Sequence, residues 1–317
     1  MKNITLALGG GGTKGFAHIG VIRQLEIFGY QIKAIAGTSA GGIVGALYAN
    51  GFSIDEIIAF SKKMKYDDIF NRSHNDSPSL LGLGGLYNQV EALLGDKRIE
   101  DLKLKFATIS VDTITGKEII FNCGKVVDAV KSTSAVPGIF PSQRINGLNL
   151  VDGGVLDPVP VLTARWLMPD LPVFAVGLTP PMEEWPYVPR LDIPPYIPIP
   201  HFMVDQLNQL RLGQAMHVFI DSMEIMVNTV ADLRLKIEKP DVIIRPSVHK
   251  YTMFDKVDID EMIHLGEQAV MEAEKEIESI FSVSNRLYRW LKPASPPGIL
   301  ISEIIKESPI LNYRENS

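Results

Sequence analysis

The pentapeptide Gly37-Thr38-Ser39-Ala40-Gly41 has the spacing G-x-S-x-G, which presents a serine hydroxyl as a nucleophile when it falls on a sharp strand-to-helix turn. Such a turn strains the serine backbone, and the residues two positions to either side must be tiny for strand and helix to pass closely. Gly37 and Gly41 meet that need, while Gly42 and Gly45 let the helix approach the sheet. A hydroxyl at the positive end of a helix dipole is favoured as an alkoxide-like nucleophile. Taken alone, Ser39 has a lesser alternative reading as a helix N-cap between glycines.

Two other stretches carry residues suited to chemistry. Gly10, Gly12 and Gly15 satisfy G-x-G-x-x-G, but a dinucleotide site also needs an acidic residue at the end of the next strand, where Gly37-Thr38-Ser39 stands instead. A phosphate loop fails too, because Lys14 is followed by Gly15 and Phe16 where Ser or Thr must meet magnesium. What survives is that consecutive glycines can aim backbone N–H groups at one point, suiting an oxyanion as well as a phosphate; a tight turn explains the same glycines. Asp152 closes an apolar run before Gly153-Gly154, and a carboxylate at a strand end can orient or deprotonate a hydroxyl. An ordinary Asp-Gly turn is the plain alternative. Asp157, beyond that turn, is the poorer candidate.

The elements that must position these residues alternate as in an α/β domain. A strand over 4–8, a helix over about 16–28, a strand over 33–36 and a helix from Ser39 to Tyr48 form two strand-loop-helix units, and Asn50-Gly51 stops the second. Ser53 to Glu56 has the spacing of a capping box. Residues 71–86 are polar and then glycine-rich, predicting an exposed loop, and 106–122 alternate around Thr115-Gly116 as a hairpin. A helix over about 125–134, a strand ending at Asp152 and a strand over 173–179 follow. Proline recurs through 181–200 and excludes regular structure there. Beyond it the pattern predicts a long helix over 202–236, a strand over 241–246 and an amphipathic helix over 258–281. The residues from 293 onward read as a peripheral tail.

In order, G-G-G-x-K-G at 10–15, G-x-S-x-G at 37–41 and D-G-G at 152–154, with the connecting text GFAHIGVIRQLE and STSAVPGIFP, resemble the patatin-like phospholipase family. The resemblance covers roughly residues 5–180. It implies a three-layer α/β/α sandwich with a mainly parallel central sheet, and a Ser-Asp dyad that works without histidine. Ser39 would be the nucleophile, Asp152 its base, and the backbone of Gly10, Gly11 and Gly12 the oxyanion hole. Lys14 stands where the family has Lys or Arg, and Gly15, Gly37, Gly41, Gly153 and Gly154 support the motifs. Leu8-Gly9 replaces the aspartate that opens the motif in plant-type members, as in many bacterial relatives. The implied reaction is hydrolysis of a lipid or other acyl ester through an acyl-enzyme, without cofactor or metal. The expected organisation is a catalytic domain over 4–180, a linker or lid over 181–200, a helical extension over 201–292 and a tail over 293–317.

Composition narrows the alternatives. Of 317 residues, 46% are hydrophobic, enough for a large core, and 31 basic against 37 acidic residues give a net charge of −6 with no basic block to attract nucleic acid. Cys123, the sole cysteine, forms no internal disulfide or zinc cluster and fits a reducing, cytoplasmic setting. The N-terminus reads as a first strand and not a signal peptide. The uncharged run at 34–54 is long enough to cross a bilayer, but its five glycines and its polar Asn50 and Ser53 predict a buried strand and helix. Histidines and carboxylates lack metal-ligand spacing. A Ser-Asp-His triad would draw on His249 or His264, and a non-catalytic lipid-binding relative is the reading from another class, against which the intact motifs count. Trp185, Tyr187, Tyr196, Ile197 and Ile199 among the prolines suit transient contact with a lipid surface or a cap on an acyl pocket, or else an ordinary linker. Met203, Met216, Met223 and Met226 suit an acyl tunnel or simple core filling. Apolar residues in the tail leave an oligomer open.

Overall fold

A computed structural model of the chain describes residues 2–64, 79–181, 211–281 and 295–307. β1 (Lys2–Leu8) leads through a 3-10 turn (Gly12–Phe16) into α1 (Ala17–Ile27), and β2 (Tyr30–Gly37) turns at Ser39 into α2 (Ala40–Asn50). The run at 34–54 is therefore a strand and a helix, and among the described residues no helix is long and apolar enough to cross a membrane. α3 (Ile54–Lys63) begins with the expected capping box: the Ser53 side chain accepts from Glu56 N, and the Glu56 side chain from Ser53 N. Next come α4 (Gly84–Leu94), the hairpin of β3 (Lys105–Asp112) and β4 (Lys117–Phe121), and α5 (Val126–Thr133). β5 (Gln143–Ile145), β6 (Leu148–Asp152), α6 (Val161–Leu167) and β7 (Val173–Val176) complete the first half. The second half holds α7 (Arg211–Glu238), β8 (Val242–Ile244), α8 (Ile259–Glu272), α9 (Glu274–Ser279), β9 (Ile299–Leu300) and α10 (Ile301–Glu307).

The strands form one mostly parallel sheet in the order β5-β6-β3-β2-β1-β7-β8, with β4 paired to β3 and β9 to β4. Alternation along the strands sends side chains to two cores. Ile4, Leu6, Leu8 and Ile35 face a layer built from α1 to α5 and α8. Ala7, Ala34, Ala36 and Ala107 face α6 and α7, and their small side chains let those helices lie close to the sheet. The result is the three-layer α/β/α sandwich that the sequence leads one to expect. α8 packs on α1 with backbones in contact, since a methyl at Gly20 would overlap Ile263 O and one at Gly266 would overlap Ala17 O.

Four elements differ from expectation. β2 starts at Tyr30, because Tyr30 and Ile32 already alternate inward. The end of the segment read as an exposed loop is a helix: Leu80 N and Leu81 N bond to Gly138 O and Ile139 O, and Leu83 and Leu86 are buried at the start of α4. The glycines at 84 and 85, which suggested a loop, occupy the first turn, ahead of the well-packed interior positions. The helix over 258–281 is broken at Ala273. The residues after 293 are not wholly peripheral, for β9 pairs parallel with β4 and Ile301 is buried beneath it. Residues 182–210, and with them Met203 and all of the proposed lid but its first residue, lie outside the described residues, as do residues 71–78 of the polar segment.

Candidate active site

Strand pairing alone brings the motif residues together. Thr108 of β3 pairs with Gly37 of β2 and with Phe121 of β4, so β2 and β4 flank β3 on opposite sides. Two residues further on, Ser110 pairs with Ile119 of β4 and with Asp152 of β6. β6 therefore lies on the same side of β3 as β2, antiparallel to it, filling the space that opens where β2 ends. Asp152 comes to rest about 7 Å along β3 from Gly37, at the rise of a strand residue, opposite the turn that carries Ser39.

That turn is strained. Ser39 has φ 53° and ψ −122°, a region that L-residues occupy at a cost of about 1–3 kcal/mol unless their surroundings hold them. A methyl at Gly37 would lie 2.6 Å from Gly41 O and Gly42 N, and one at Gly41 would overlap Leu8 O. The Ser39 N–H donates to Thr133 Oγ1 at 3.0 Å, and the same hydroxyl donates to Ile109 O at 2.5 Å. The Ser39 hydroxyl makes no capping bond to α2, so capping does not occupy it. Further bonds tie the neighbouring loops: Thr38 N to Leu8 O, Thr38 Oγ1 to Asp157 O at 2.8 Å, Gly10 N to Pro158 O at 3.0 Å, and Asp152 N to Ala135 O at 2.9 Å. The glycine loop, the serine turn and the aspartate loop form one hydrogen-bonded unit.

Asp152 is buried, and one of its oxygens, Oδ1, accepts from Gly154 N at 2.7 Å. Its Oδ2 has no hydrogen-bond partner of ordinary geometry among the described residues. Burial pushes the carboxyl up to about 6, opposed by the Ser39 hydroxyl beside it and by the Gly154 amide. An acid raised in this way is a stronger base than a surface aspartate and is still mostly ionised at neutral pH. Gly153 lies against Ile109 O so closely that a methyl would overlap it, which lets the turn fold back on β3. Asp157, set aside from the sequence, is fully buried but turned to the other face, paired with Arg234 Nη2 of α7 at 3.1 Å. Its carboxyl is held well above the usual range by burial.

The glycine loop shows which donors are available. A methyl at Gly10 would sit 3.3 Å from Ser39 Cβ, so Gly10 abuts the serine, but its N–H is committed to Pro158 O. The amides of Gly11 and Gly12 carry no bond among the described residues, and neither does that of Ala40 at the head of α2. Gly12 has φ 59°, and a methyl there would overlap Met253 O. Gly15 touches Ala40, joining the 3-10 turn to α2. Lys14 points inward, buried, with Nζ 3.6 Å from Glu224 Oε1 of α7. Burial lowers the Lys14 ammonium and raises the Glu224 carboxyl, each opposed by the other's charge.

Above Ser39 lies an apolar cavity of about 120 Å³, similar to cavities that hold benzene. Gly12, Ser39 and Ala40 form its polar end, and Val44, Leu83, Leu86, Val136, Phe140 and Phe254 line its walls. Among the described residues no histidine lines it. His249 is exposed, and His264 is exposed on α8 with Nδ1 3.9 Å from Glu267 Oε2. Among the described residues no group of histidine, cysteine and carboxylate side chains is arranged to hold a metal. Sequence reasoning missed Thr133, Pro158, Ala40 and the ion-pair partners on α7. The run STSAVPGIFP contains Thr133 but gives no sign that it supports Ser39.

A family model described as patatin-like phospholipase matches residues 6–165, half of the chain. The chain is 35% identical over 178 residues to an uncharacterized NTE family protein of Mycobacterium tuberculosis, covering 55% of this chain and 49% of that protein. It is 31% identical over 165 residues to lysophospholipase NTE1 of Candida albicans, covering 50% of this chain and 12% of that one. The chain thus spans about half the length of the first of these relatives and far less of the second. Among solved structures, VipD from Legionella pneumophila aligns with a TM-score of 0.47 at 12% identity, over 88% of this chain and 67% of that one.

Proposed function

We propose, for a chain that belongs to the patatin-like phospholipase family, the hydrolysis of lipid carboxylic esters through an acyl-enzyme on Ser39. The observation that carries this reading is the buried Asp152 carboxyl set beside Ser39 at the head of α2, with an apolar cavity above them. In the proposed reaction Asp152 takes the Ser39 hydroxyl proton as Oγ attacks the ester carbonyl carbon. The amides of Gly11, Gly12 and Ala40 receive the oxyanion, and the α2 dipole favours the same charge. Collapse breaks the bond to the alcohol, which leaves with the proton held by Asp152. Water, deprotonated by Asp152, then attacks the acyl carbon, and Ser39 recovers its proton as the fatty acid departs.

A triad reading needs a histidine bonded to the aspartate, and among the described residues Asp152 bonds to none. A cavity of this size takes part of one acyl chain and fits a monoacyl or short-chain ester better than two chains held side by side. Lysophospholipid is accordingly the preferred substrate in this proposal, and contact with a lipid surface is transient. The test measures release of p-nitrophenol from short-chain esters, and of fatty acid from lysophosphatidylcholine, by the parent, Ser39→Ala and Asp152→Asn. Removing either residue is expected to lower kcat at least 10³-fold, about the cost of losing a member of a catalytic pair. A Ser39→Ala protein as fast as the parent would refute the assignment.

A further inference from the structure

His18 is among the buried titratable side chains that the proposed reaction leaves unused. His18, in the first turn of α1, is fully buried. Its Nε2 lies 2.8 Å from Gly9 O, and its Nδ1 is buried with no partner among the described residues. A carbonyl oxygen only accepts, so Nε2 carries the hydrogen and donates it. Burial lowers the imidazole to about 4, so the ring is neutral in this single tautomer at physiological pH. Helical side chains lean toward the N-terminus of their helix, which is why a residue at position 18 reaches back to the loop that feeds α1.

The bond falls on a decisive peptide unit. Gly9 O accepts from His18, and the N–H of the same peptide, that of Gly10, donates to Pro158 O at 3.0 Å. A planar unit held at both its C=O and its N–H edge cannot rotate. It is followed at once by the two unbonded amides, Gly11 and Gly12, and the loop is fastened again where Thr13 N donates to Met253 O at 3.0 Å. Four consecutive glycines are otherwise the most mobile backbone a chain can have. We infer that His18 is a positioning residue for the reaction: it locks the Gly9–Gly10 peptide so that the Gly11 and Gly12 amides stay aimed at the oxyanion over Ser39.

This inference rests on the proposed acyl transfer. Its test uses the full chain with a soluble p-nitrophenyl ester, comparing His18→Leu, which has no donor, with His18→Gln, whose side-chain nitrogen reaches the place of Nε2. A misplacement of about 1 Å in such a site costs about 10²-fold, so kcat of His18→Leu is expected to fall about 10- to 100-fold with KM within about twofold. Affinity for a trifluoromethyl ketone, whose adduct with serine carries the same oxyanion, should fall by the same factor as kcat/KM. His18→Gln should recover most of both. Parental kcat in His18→Leu would overturn the inference, as would His18→Gln no better than His18→Leu, for then the donor does not matter. If His18→Leu does not yield folded protein, His18→Asn takes its place, because its nitrogen falls at the position of Nδ1 and misses Gly9 O. Ser39→Ala run alongside separates the two failures: activity surviving there sinks the acyl-enzyme, whereas activity lost there but unchanged in His18→Leu sinks only the role of His18.

Discussion

As the proposed base, Asp152 would set stability and activity against each other, and pH exposes the conflict. Its carboxyl is moved from the ordinary aspartate value of 3.8 to about 6, chiefly by burial. The folded state therefore binds a proton more tightly than the unfolded chain does. The stabilising contribution is fully present below about pH 4 and is lost as pH rises through 6. At 1.36 kcal/mol per unit the loss is about 3 kcal/mol, undiluted by solvent because the group is buried. Asp152→Asn carries no such proton, so its stability relative to the parent should rise by about that amount between pH 4 and pH 7. Urea unfolding of both proteins at each pH measures the difference, in which all other carboxyl groups cancel. Activity should run the opposite way. The base must be ionised, so kcat/KM of the parent should fall about tenfold per unit below pH 6. The same limb should persist when His249 and His264 are both replaced by alanine. Parallel stability curves for parent and Asp152→Asn, or an acid limb near 4, would refute the reasoning, because either result means that the carboxyl is solvated.

Three further outcomes follow from the site. Thr133→Val keeps the shape but removes the acceptor for Ser39 N–H and the donor to Ile109 O; an unpaired buried backbone group costs about 1–3 kcal/mol, so thermal unfolding should shift downward and kcat should fall together with it. Val136→Trp fills much of the cavity above Ser39, and rates on eight-carbon esters should drop at least tenfold more than those on two-carbon esters; equal losses would show that the acyl chain lies elsewhere. Arg234 meets Asp157, Glu118 and Glu238 within 3.3 Å, and burial raises all three carboxyls. Arg234→Met removes the cation that all three share and should cost about 3–5 kcal/mol at pH 8. Because raised carboxyl pKa values mean stability lost with rising pH, part of that cost should return as pH falls toward 5, and a pH-independent loss in urea unfolding would contradict it.

The residues legible in the sequence are those whose chemistry leaves no substitute. G-x-S-x-G shows itself because a methyl at Gly37 would lie 2.6 Å from Gly41 O and Gly42 N, whereas Asp152 before two glycines reads by itself as an ordinary turn and is singled out only by the family resemblance. The α/β alternation was legible too, since strand and helix periods alternate cleanly through residue 50, while the three layers followed only from the resemblance. What stayed hidden depends on partners remote in the chain. Nothing in the spacing of Gly10 says that its amide is taken by Pro158, which removes one of the three expected donors and leaves Ala40 to be noticed. Leu83 and Leu86 were hidden by the glycines between them, which signal a loop as readily as the first turn of a helix. The short β9 had no signal, because two residues carry no period.

α7 shows how much of the site lies outside its motifs. The family model ends at residue 165, yet the counter-charge for Lys14 in the glycine loop is Glu224, and the one for Asp157, whose backbone oxygen holds Thr38, is Arg234. Arg165 closes the arrangement by donating to Glu238 O and Lys239 O at the far end of the helix. Lys14 is placed inside by the turn that brings Gly15 against α2, and Asp157 by the turn that carries Asp152; neither can reach solvent without moving the loop to which it belongs. A buried charge without a partner costs several kcal/mol, so docking of α7 adds to the hydrogen bonds that hold the two motif loops in position. The long helix, which from sequence reads as an extension, thus completes the electrostatics on which the geometry around Ser39 depends.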